Sequence, residues 1–506
     1  MQNKFGILFF CLTTYIYLYS AAIANSEVEK LTLKQSIRKA LSQHPEMLQA
    51  SRNLTLAEGT YSEQNLRWRP QINALNQQTI FAEDKASVNT STGVSWHFPS
   101  GTKVELQNQV FFDYNYVDVD SSIFDYDNTQ KYQHQTSVSI QKPLFGTETK
   151  SGYLQRKSNR IAYQQAYRQY ALTVEKIIIE TIQHYRSIQA LVQKKSSQTR
   201  HLQMAKDRYN YLEKEVIAGK KARVSLSEAQ VQILEFELDI TRANHAIDKS
   251  MRAFKRHLNI QNEITLTSQE KKELEDPENI NSIRETALYN NYALESHKQQ
   301  IELAKEHLSI EKKQTHMSAS LQARKELATK NKTQANLSIT LPLDTRQQQL
   351  RVEKENLQLS IEKTHFIDSC KMVLEKIDDL YTDLIFEKNA LLIQEKKYAI
   401  ENTNYQNTQK KHKLGMLATL TVNEQLQHLQ QSSLNLIEKT STYHNNIDLY
   451  RKETGFLLKH YEDAIPNIVL KQLPTRKTPP TQEGLLNSDN EVLCNNLLQC
   501  KDCEKK

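Results

Sequence analysis

A chain of 506 residues with only ten glycines and ten prolines has few helix breakers, so long uninterrupted helices are expected. Charged residues make up 25% and hydrophobic ones 38%, which excludes a helical membrane protein; past the N-terminus no apolar run reaches the roughly 18 residues of a spanning helix. The net charge of +7 is small for this length, and Lys and Glu are mixed along the helical stretches, which reads as solvated helix faces and implies no nucleic-acid partner.

Residues 1–24 read as an export signal. Lys4 supplies the positive start, Phe5 to Tyr19 the apolar stretch, and Ala22-Ile23-Ala24 the small-x-small cleavage pattern, so the mature chain is expected to begin at Asn25. Asn25 is not a cysteine, which argues against a lipid anchor. Four cysteines then remain. Cys370 stands alone in a helical pattern and is expected to be a small packed thiol. Cys494, Cys500 and Cys503 cluster in the tail, where an oxidising compartment would favour a disulfide; the tail has no His, so zinc binding is not expected.

The mature chain is organised by an internal repeat, residues 25–258 and 280–460, joined by a linker at 259–279 and followed by a flexible tail at 461–506. Three anchors define it. Ser36-Ile37-Arg38 with Ala40-Leu41 is echoed by Ser282-Ile283-Arg284 with Ala287-Leu288. A strand ending in Pro143-Leu144 is echoed by one ending in Pro342-Leu343. Gly219 to Glu228 aligns with Gly415 to Glu424, with Gly, Ala and Glu coincident and like residues between.

Each copy reads helix, strands, very long helix, glycine turn, helix. In copy one the first helix is expected over 33–68, stopped by Pro70, and strands follow to Pro143. The long helix is expected over 148–217, about 105 Å at 1.5 Å per residue. Gly219 would cap it, and Ser225 or Ser227 would cap a helix reaching Leu258. Copy two gives a helix over 280–313, strands over 318–343, a long helix over 345–412, the Gly415 turn and a helix over 421–459.

The strands alternate strictly. Val104, Leu106, Val110 and Phe112 oppose Lys103, Glu105, Gln107 and Gln109; Leu337, Ile339 and Leu341 oppose Asn336, Ser338 and Thr340. This pattern fits either a half-buried sheet or a spanning barrel with apolar residues outward. Aromatics cluster around the strands (Trp96, Phe98, Phe111, Phe112, Tyr114, Tyr116), as at a membrane interface. One chain has too few strands to close a barrel, so several chains would contribute. Copy one is longer between its anchors. Its surplus includes Phe98-Pro99-Ser100-Gly101-Thr102 and an acidic, Tyr-rich stretch from Asp113 to Asp127, either an extra hairpin or a long loop. The long helices carry sparse apolar positions such as Ile161, Tyr170, Val174, Ile178, Ile182, Tyr185, Ile188 and Val192, which suits a coiled-coil seam.

Taken together, the leader, the repeat, Ala40-Leu41 with His44-Pro45-Glu46, Pro143-Leu144-Phe145 and the turns at Gly219 and Gly415 resemble the TolC-like outer-membrane efflux proteins, over about residues 31–459. The resemblance implies a mainly α fold: a long antiparallel coiled-coil α-helical barrel and a short β-barrel formed jointly by a homotrimer, each protomer giving two hairpins. It implies a Gram-negative outer-membrane location with a periplasmic extension. The partners implied are outer-membrane lipid, a periplasmic membrane-fusion adaptor and an inner-membrane transporter; no cofactor or metal is implied. Carried over by motif, Ala218, Gly219 and Lys220, with Leu414, Gly415 and Met416, would meet the adaptor. His412 and Leu417 occupy the positions of the family's tip-closing network, and Thr421 and Glu424 those of its acidic rings; only Glu424 keeps an acid. The expected function is passive conduction for efflux or secretion, the alternative a periplasmic coiled-coil scaffold or adaptor without a barrel. No metal-protease motif, phosphate-binding glycine loop or nucleophile elbow is present, so an enzyme is not expected.

Overall fold

The computed structural model describes residues 29–80, 85–115, 131–145, 148–267, 280–314, 318–327, 332–340, 346–414 and 416–473. The export signal and the tail cysteines lie outside them. In chain order the elements are β1 (Glu29–Leu31), α1 (Leu33–Gln43), α2 (Pro45–Leu66), β2 (Gln71–Ile80), β3 (Lys85–His97), β4 (Lys103–Asn115), β5 (Lys131–Phe145), α3 (Glu148–Ile217) and α4 (Arg223–Leu258). Then come β6 (Ile264–Leu266), α5 (Ile280–Asn290), α6 (Tyr292–Gln314), β7 (Ser318–Glu326), β8 (Thr333–Thr340), α7 (Arg346–Lys413), α8 (Thr419–Glu453), α9 (Leu457–His460), a 3-10 turn (Glu462–Ala464) and α10 (Asn467–Lys471). Helices α3 and α7 have 70 and 68 residues, as the scarcity of Gly and Pro led one to expect. Among the described residues no helix is long and apolar enough to cross a membrane.

Several boundaries differ from the sequence reading. The first helix of copy one is two helices, because Pro45 forces His44 into an extended conformation (φ −63°, ψ 132°) and restarts the helix. Neither Ser225 nor Ser227 caps α4: its N-cap is Ala222, and that of α8 is Ala418. The 259–279 stretch is not only a linker, since its β6 pairs in parallel with β1. Ordered structure also runs past 461, to Leu473. Tyr461, Ala464, Ile465 and Val469 are buried there, so the flexible tail cannot begin at 461. Cys370 is packed as expected but is not a thiol: it is disulfide-bonded.

The described residues divide into two compact units. The first holds residues up to 51, 169–291 and 372–473. Its core collects Leu33, Ile37, Ala40 and Leu41 of α1 with Val174, Ile177, Ile178, Ile182, Tyr185 and Ile188 of α3. The Thr32 hydroxyl and the Gln35 side chain form a reciprocal capping box that starts α1. The Tyr185 hydroxyl donates to the Leu31 and Thr267 carbonyls (3.2 and 2.7 Å), fastening the β1–β6 pair to α3. Deeper in the unit Asp448 is fully buried. Arg186 forms an ion pair with it (2.5 Å), and Arg451 (3.0 Å) and the Tyr461 hydroxyl (3.2 Å) donate to it, so α3, α8 and the segment after α9 share one ionic knot.

The second unit holds 52–168 and 292–371, and with them one six-stranded antiparallel sheet in the order β2-β3-β4-β5-β7-β8. The resemblance implied two hairpins; the sheet has three, the longer first copy giving four strands, so its surplus is an extra hairpin. The stretch 116–130 between β4 and β5 lies outside the described residues. Register places Trp96, Val104, Ile140, Ala323 and Ala335 in one cross-strand row, with Ile72, Val94, Leu106 and Val138 in the next. Directly opposed residues share a face, so these rows form one apolar face, interrupted by Lys142 and Lys325. The other face carries the row Gln71, Ser95, Glu105, Ser139, Arg324 and Gln334. Helix segments of this unit are joined by Lys157 to Glu302 and Glu306 (2.7 and 2.5 Å) and by Arg168 to Glu295 (2.9 Å). Gly152 at the start of α3 is in close contact: a Cβ there would lie 2.5 Å from the Pro99 carbonyl oxygen and 2.8 Å from the Trp68 ring.

Candidate functional site

The sequence places its candidate site at the two helix-to-helix turns. After α3 the chain turns on Gly219, whose φ of +73° only glycine adopts without strain. The Lys220 N–H donates to the Glu215 carbonyl (2.9 Å) and the Gly219 N–H to that of Val216 (3.0 Å), a Schellman-type stop that satisfies the last carbonyls. After α7 the Met416 N–H donates to the Lys411 carbonyl (3.0 Å) over the same separation, and an alanine N-cap follows at the same distance. Gly415 itself lies outside the described residues. Ala218, Gly219 and Lys220, with Leu414 and Met416, are all exposed, and so are the apolar Ile217, Val224 and Leu420. Lys410, Lys411 and Lys413 at the end of α7, like Lys214 in α3, sit where the helix dipole favours cations.

Behind the turns, α3, α4, α7 and α8 meet in an apolar cluster of Ala205, Phe236, Tyr405, Val422, Leu426 and Leu429. Arg208 of α3 is buried against it and donates through Nη1 to the Asn423 side-chain oxygen of α8. Tyr405 of α7 and Glu228 of α4 stand close enough to act on its charge. Burial pulls the Arg208 guanidinium down to about 10, and pushes the Tyr405 phenol up against the opposing pull of Arg208. His412 is buried, with its ring edge-on to Tyr211 at 5.7 Å between centroids. Burial, and then the Arg208 charge, lower its pKa, so it is neutral at pH 7. Tyr211 in turn donates to Glu215 (2.9 Å).

Further along the same helices the seam remains polar. His201 lies between Ser197 (3.2 Å) and Ser433 (3.3 Å), with its ring stacked on Phe236, and burial drives its pKa down to about 4. The Gln394 amide of α7 donates to the Ser432 carbonyl and hydroxyl of α8 (2.9 and 3.1 Å).

Of the residues singled out from sequence for the closing network and the rings, the structure gathers His412 into the buried network and leaves Leu417 half-buried. Thr421 and Glu424 are exposed on the first turns of α8. The central residues, Arg208 and Asn423, were missed. A signal was available: Ser197, His201, Ala205, Arg208 and Leu212 recur at three- and four-residue spacing on α3, and all are buried. Polar groups on such a stripe are costly unless paired, and so mark an internal network.

No protein-family model matches this chain, and no curated protein matches it. Solved structures do. The outer membrane protein VceC of Vibrio cholerae aligns over 84% of this chain and 96% of its own at 14% identity, with a TM-score of 0.59. CusC, whose transmembrane channel formation has been described, covers 85% and 91% at 12% identity, with a TM-score of 0.61. The open state of the Neisseria gonorrhoeae MtrE outer membrane channel covers 84% and 89% at 12% identity, with a TM-score of 0.60. At such identities the likeness shows the fold, which is that of the TolC-like outer-membrane channels.

Proposed function

We propose that this chain is one protomer of a homotrimeric outer-membrane channel for efflux or secretion. It conducts passively what an inner-membrane transporter delivers through a periplasmic adaptor, and it has no catalytic role. The observation that carries this reading is the six-stranded sheet. Ile72, Trp96, Leu106, Ile140, Leu321, Leu337 and Ile339 all stay exposed on its apolar face. An uncovered apolar face of this extent suits lipid and not water. Both edges, β2 and β8, are unpaired among the described residues. Six alternating strands leave the two edges running in opposite directions, so β8 of one copy beside β2 of the next continues the antiparallel pattern. Six strands from each of three copies make eighteen, enough for an aqueous lumen, which the Ser95–Glu105–Ser139–Arg324 row would line.

The exposed turns supply the adaptor contact: Ala218, Gly219 and Lys220 with Leu414, Gly415 and Met416, where Ile217, Val224, Leu414, Met416 and Leu420 offer apolar surface. Glu424, repeated around a three-fold axis, would set a weak cation preference there, with Thr421 contributing no charge.

Two measurements test the reading. Membrane fractionation should find the protein in the outer membrane, as a trimer that dissociates on heating in detergent. The purified trimer should conduct in a planar bilayer, and Glu424→Ala should lower its cation preference. A soluble monomer would sink the channel in favour of a periplasmic scaffold; an unaltered cation preference would remove only the role of Glu424.

A further inference from the structure

The two glycine turns are basic. Between Glu215 and Glu228 the chain has Lys220, Lys221 and Arg223 and no acid; between Glu401 and Glu424 it has Lys410, Lys411 and Lys413 and no acid. Lys221 is half-buried and the other five are exposed. Lys221 stands close enough to His412 of α7 for its charge to act there, so the two cationic segments adjoin within the first unit. None of the six forms an ion pair among the described residues. Helix electrostatics accounts for only some of them. Lys410, Lys411 and Lys413 close α7, where the dipole favours cations. Lys220 and Lys221 lie between the C-terminus of α3 and the N-terminus of α4, whose fields oppose each other. Arg223 is the first residue of α4, where the dipole disfavours a cation and an acid would stabilise; that first turn has none. At the same turns the apolar Ile217, Val224, Leu414, Met416 and Leu420 are 61–81% exposed. Folding alone explains neither the exposed apolar surface nor the cations around Arg223.

We propose that the two turns form one basic docking face for an acidic protein surface, whose aspartates and glutamates meet Lys220, Lys221, Arg223, Lys410, Lys411 and Lys413 around an apolar centre. The proposal rests on the channel reading and gives the adaptor its chemistry. Complementary charge speeds encounter, fixes register and rejects a partner of like charge, while the apolar contact holds the complex once it has formed. Neither segment offers an exposed aromatic residue, since Tyr405 is buried. Aromatic side chains are what anchor a protein among lipid headgroups, so the face suits a protein and not a bilayer. Exposed charges are screened by salt, over about 8 Å at physiological ionic strength and about 3 Å at 1 M, so docking should weaken as salt rises.

The test is zero-length carbodiimide cross-linking in cell envelopes of the native host, at physiological and at high salt. The reagent joins a lysine amine to a carboxylate only where the two are in contact. Peptide mapping should find Lys220, Lys221, Lys410, Lys411 or Lys413 joined to Asp or Glu of a different polypeptide, with the yield falling at high salt. The triple variant Lys220→Glu, Lys221→Glu, Arg223→Glu sets like charges against each other. It should cut the yield at Lys410, Lys411 and Lys413 at least about tenfold. The same variant should still assemble and conduct in a planar bilayer, which separates lost docking from lost folding. Links only to acids of this chain's own copies, no links at all, or an unchanged yield in the variant would overturn the proposal. Salt-sensitive binding of the purified protein to phosphatidylglycerol vesicles, lost in the variant and without any protein cross-link, would overturn it in favour of a bilayer. In each of these cases a conducting wild type leaves the channel reading intact. Cross-links as expected from a protein that forms no pore would sink the channel and keep the acidic partner.

Discussion

Arg208 gives the sharpest test of how the tip is held. Its guanidinium comes from α3, its partner Asn423 from α8, and Tyr405 beside it from α7, so one buried cation spans three helices. On the proposed channel reading, a helix shift that opened the tip would break this contact, and Arg208→Met would remove it in advance. Met has similar length and apolar character and fills the space without a charge. A hydrogen bond from a charged group contributes about 1.5–3 kcal/mol, and on that reading this is the amount a closed state would lose relative to an open one. The closed-to-open ratio should then fall by roughly 10- to 150-fold. Global stability should move less, because the variant is also relieved of burying a cation. Asn423→Asp should act oppositely, pairing the Arg208 charge with a carboxylate and lengthening closed dwells. Single-channel recordings of the purified trimer in planar bilayers read the dwell times directly. If both variants form intact trimers and keep the wild-type open fraction, Arg208 packs the tip without holding it shut, and the reasoning fails.

Three other perturbations have defined outcomes. Asp448→Ala strands Arg186 and Arg451 without their shared carboxylate, in a site where all three side chains are nearly inaccessible, and should cost about 3–5 kcal/mol in denaturant unfolding; a cost under about 1 kcal/mol would mean the knot relaxes into water. Gly152→Val places a side chain into the Pro99 carbonyl and the Trp68 ring and should destabilise by about 1–3 kcal/mol, read as a lower melting temperature, whereas an unchanged melt would show that the β3–β4 turn yields freely. The buried His201 ring, driven to about 4 from an ordinary 6.5, binds a proton more readily in the unfolded chain, so its contribution is present above pH 6.5 and is lost as pH falls towards 4. His201→Leu should remove up to about 3 kcal/mol of the wild-type decline across that window in thermal melts; parallel wild-type and variant curves would show that His201 is not the group titrating.

The periodic parts of the fold were legible because one physical rule governs them. Gly and Pro scarcity gave α3 and α7 nearly to the residue, and period-two alternation gave β3, β4, β5 and β8. Irregular features escaped for reasons equally specific. β2 lacks apolar alternation beyond Ile72 and Ala74, and is a strand because β3 supplies its hydrogen bonds. β1 and β6 are too short for any period, and exist because they pair across more than 200 residues. The break at His44 was readable from Pro45, but the amphipathic pattern runs through it and outweighed the proline. Cys370 looked like a lone thiol because a disulfide partner leaves no local trace. At the tip, the turns were found from their repeated residues, whereas Arg208 and Asn423 were not, because pattern reading assigns charged and polar residues to the solvated face.

Those misassigned polar residues divide α3 into two stretches with different holding forces. From Val174 to Ile188 its buried positions are mainly Val, Ile and Tyr, joined by the Arg186–Asp448 knot. Apolar burial of this kind has no alternative partner once separated and favours a single packed state. From Ser197 onward the buried positions become mixed: Ser197, Gln198, His201 and Arg208 alternate with Ala205 and Leu212 on α3, and the polar ones are met by Ser433 and Asn423 on α8. A polar seam loses less on opening into water, since each donor and acceptor finds a water molecule in exchange. The stretch towards the glycine turns is therefore the one with the lower cost of local opening. Hydrogen exchange should rank the amides of α3 accordingly, with slow exchange from Val174 to Ile188 and faster exchange from Ser197 to Leu212. Uniform protection along the helix would mean that the polar seam is as tightly held as the apolar one, and that any opening of the tip must move α3 as a rigid whole.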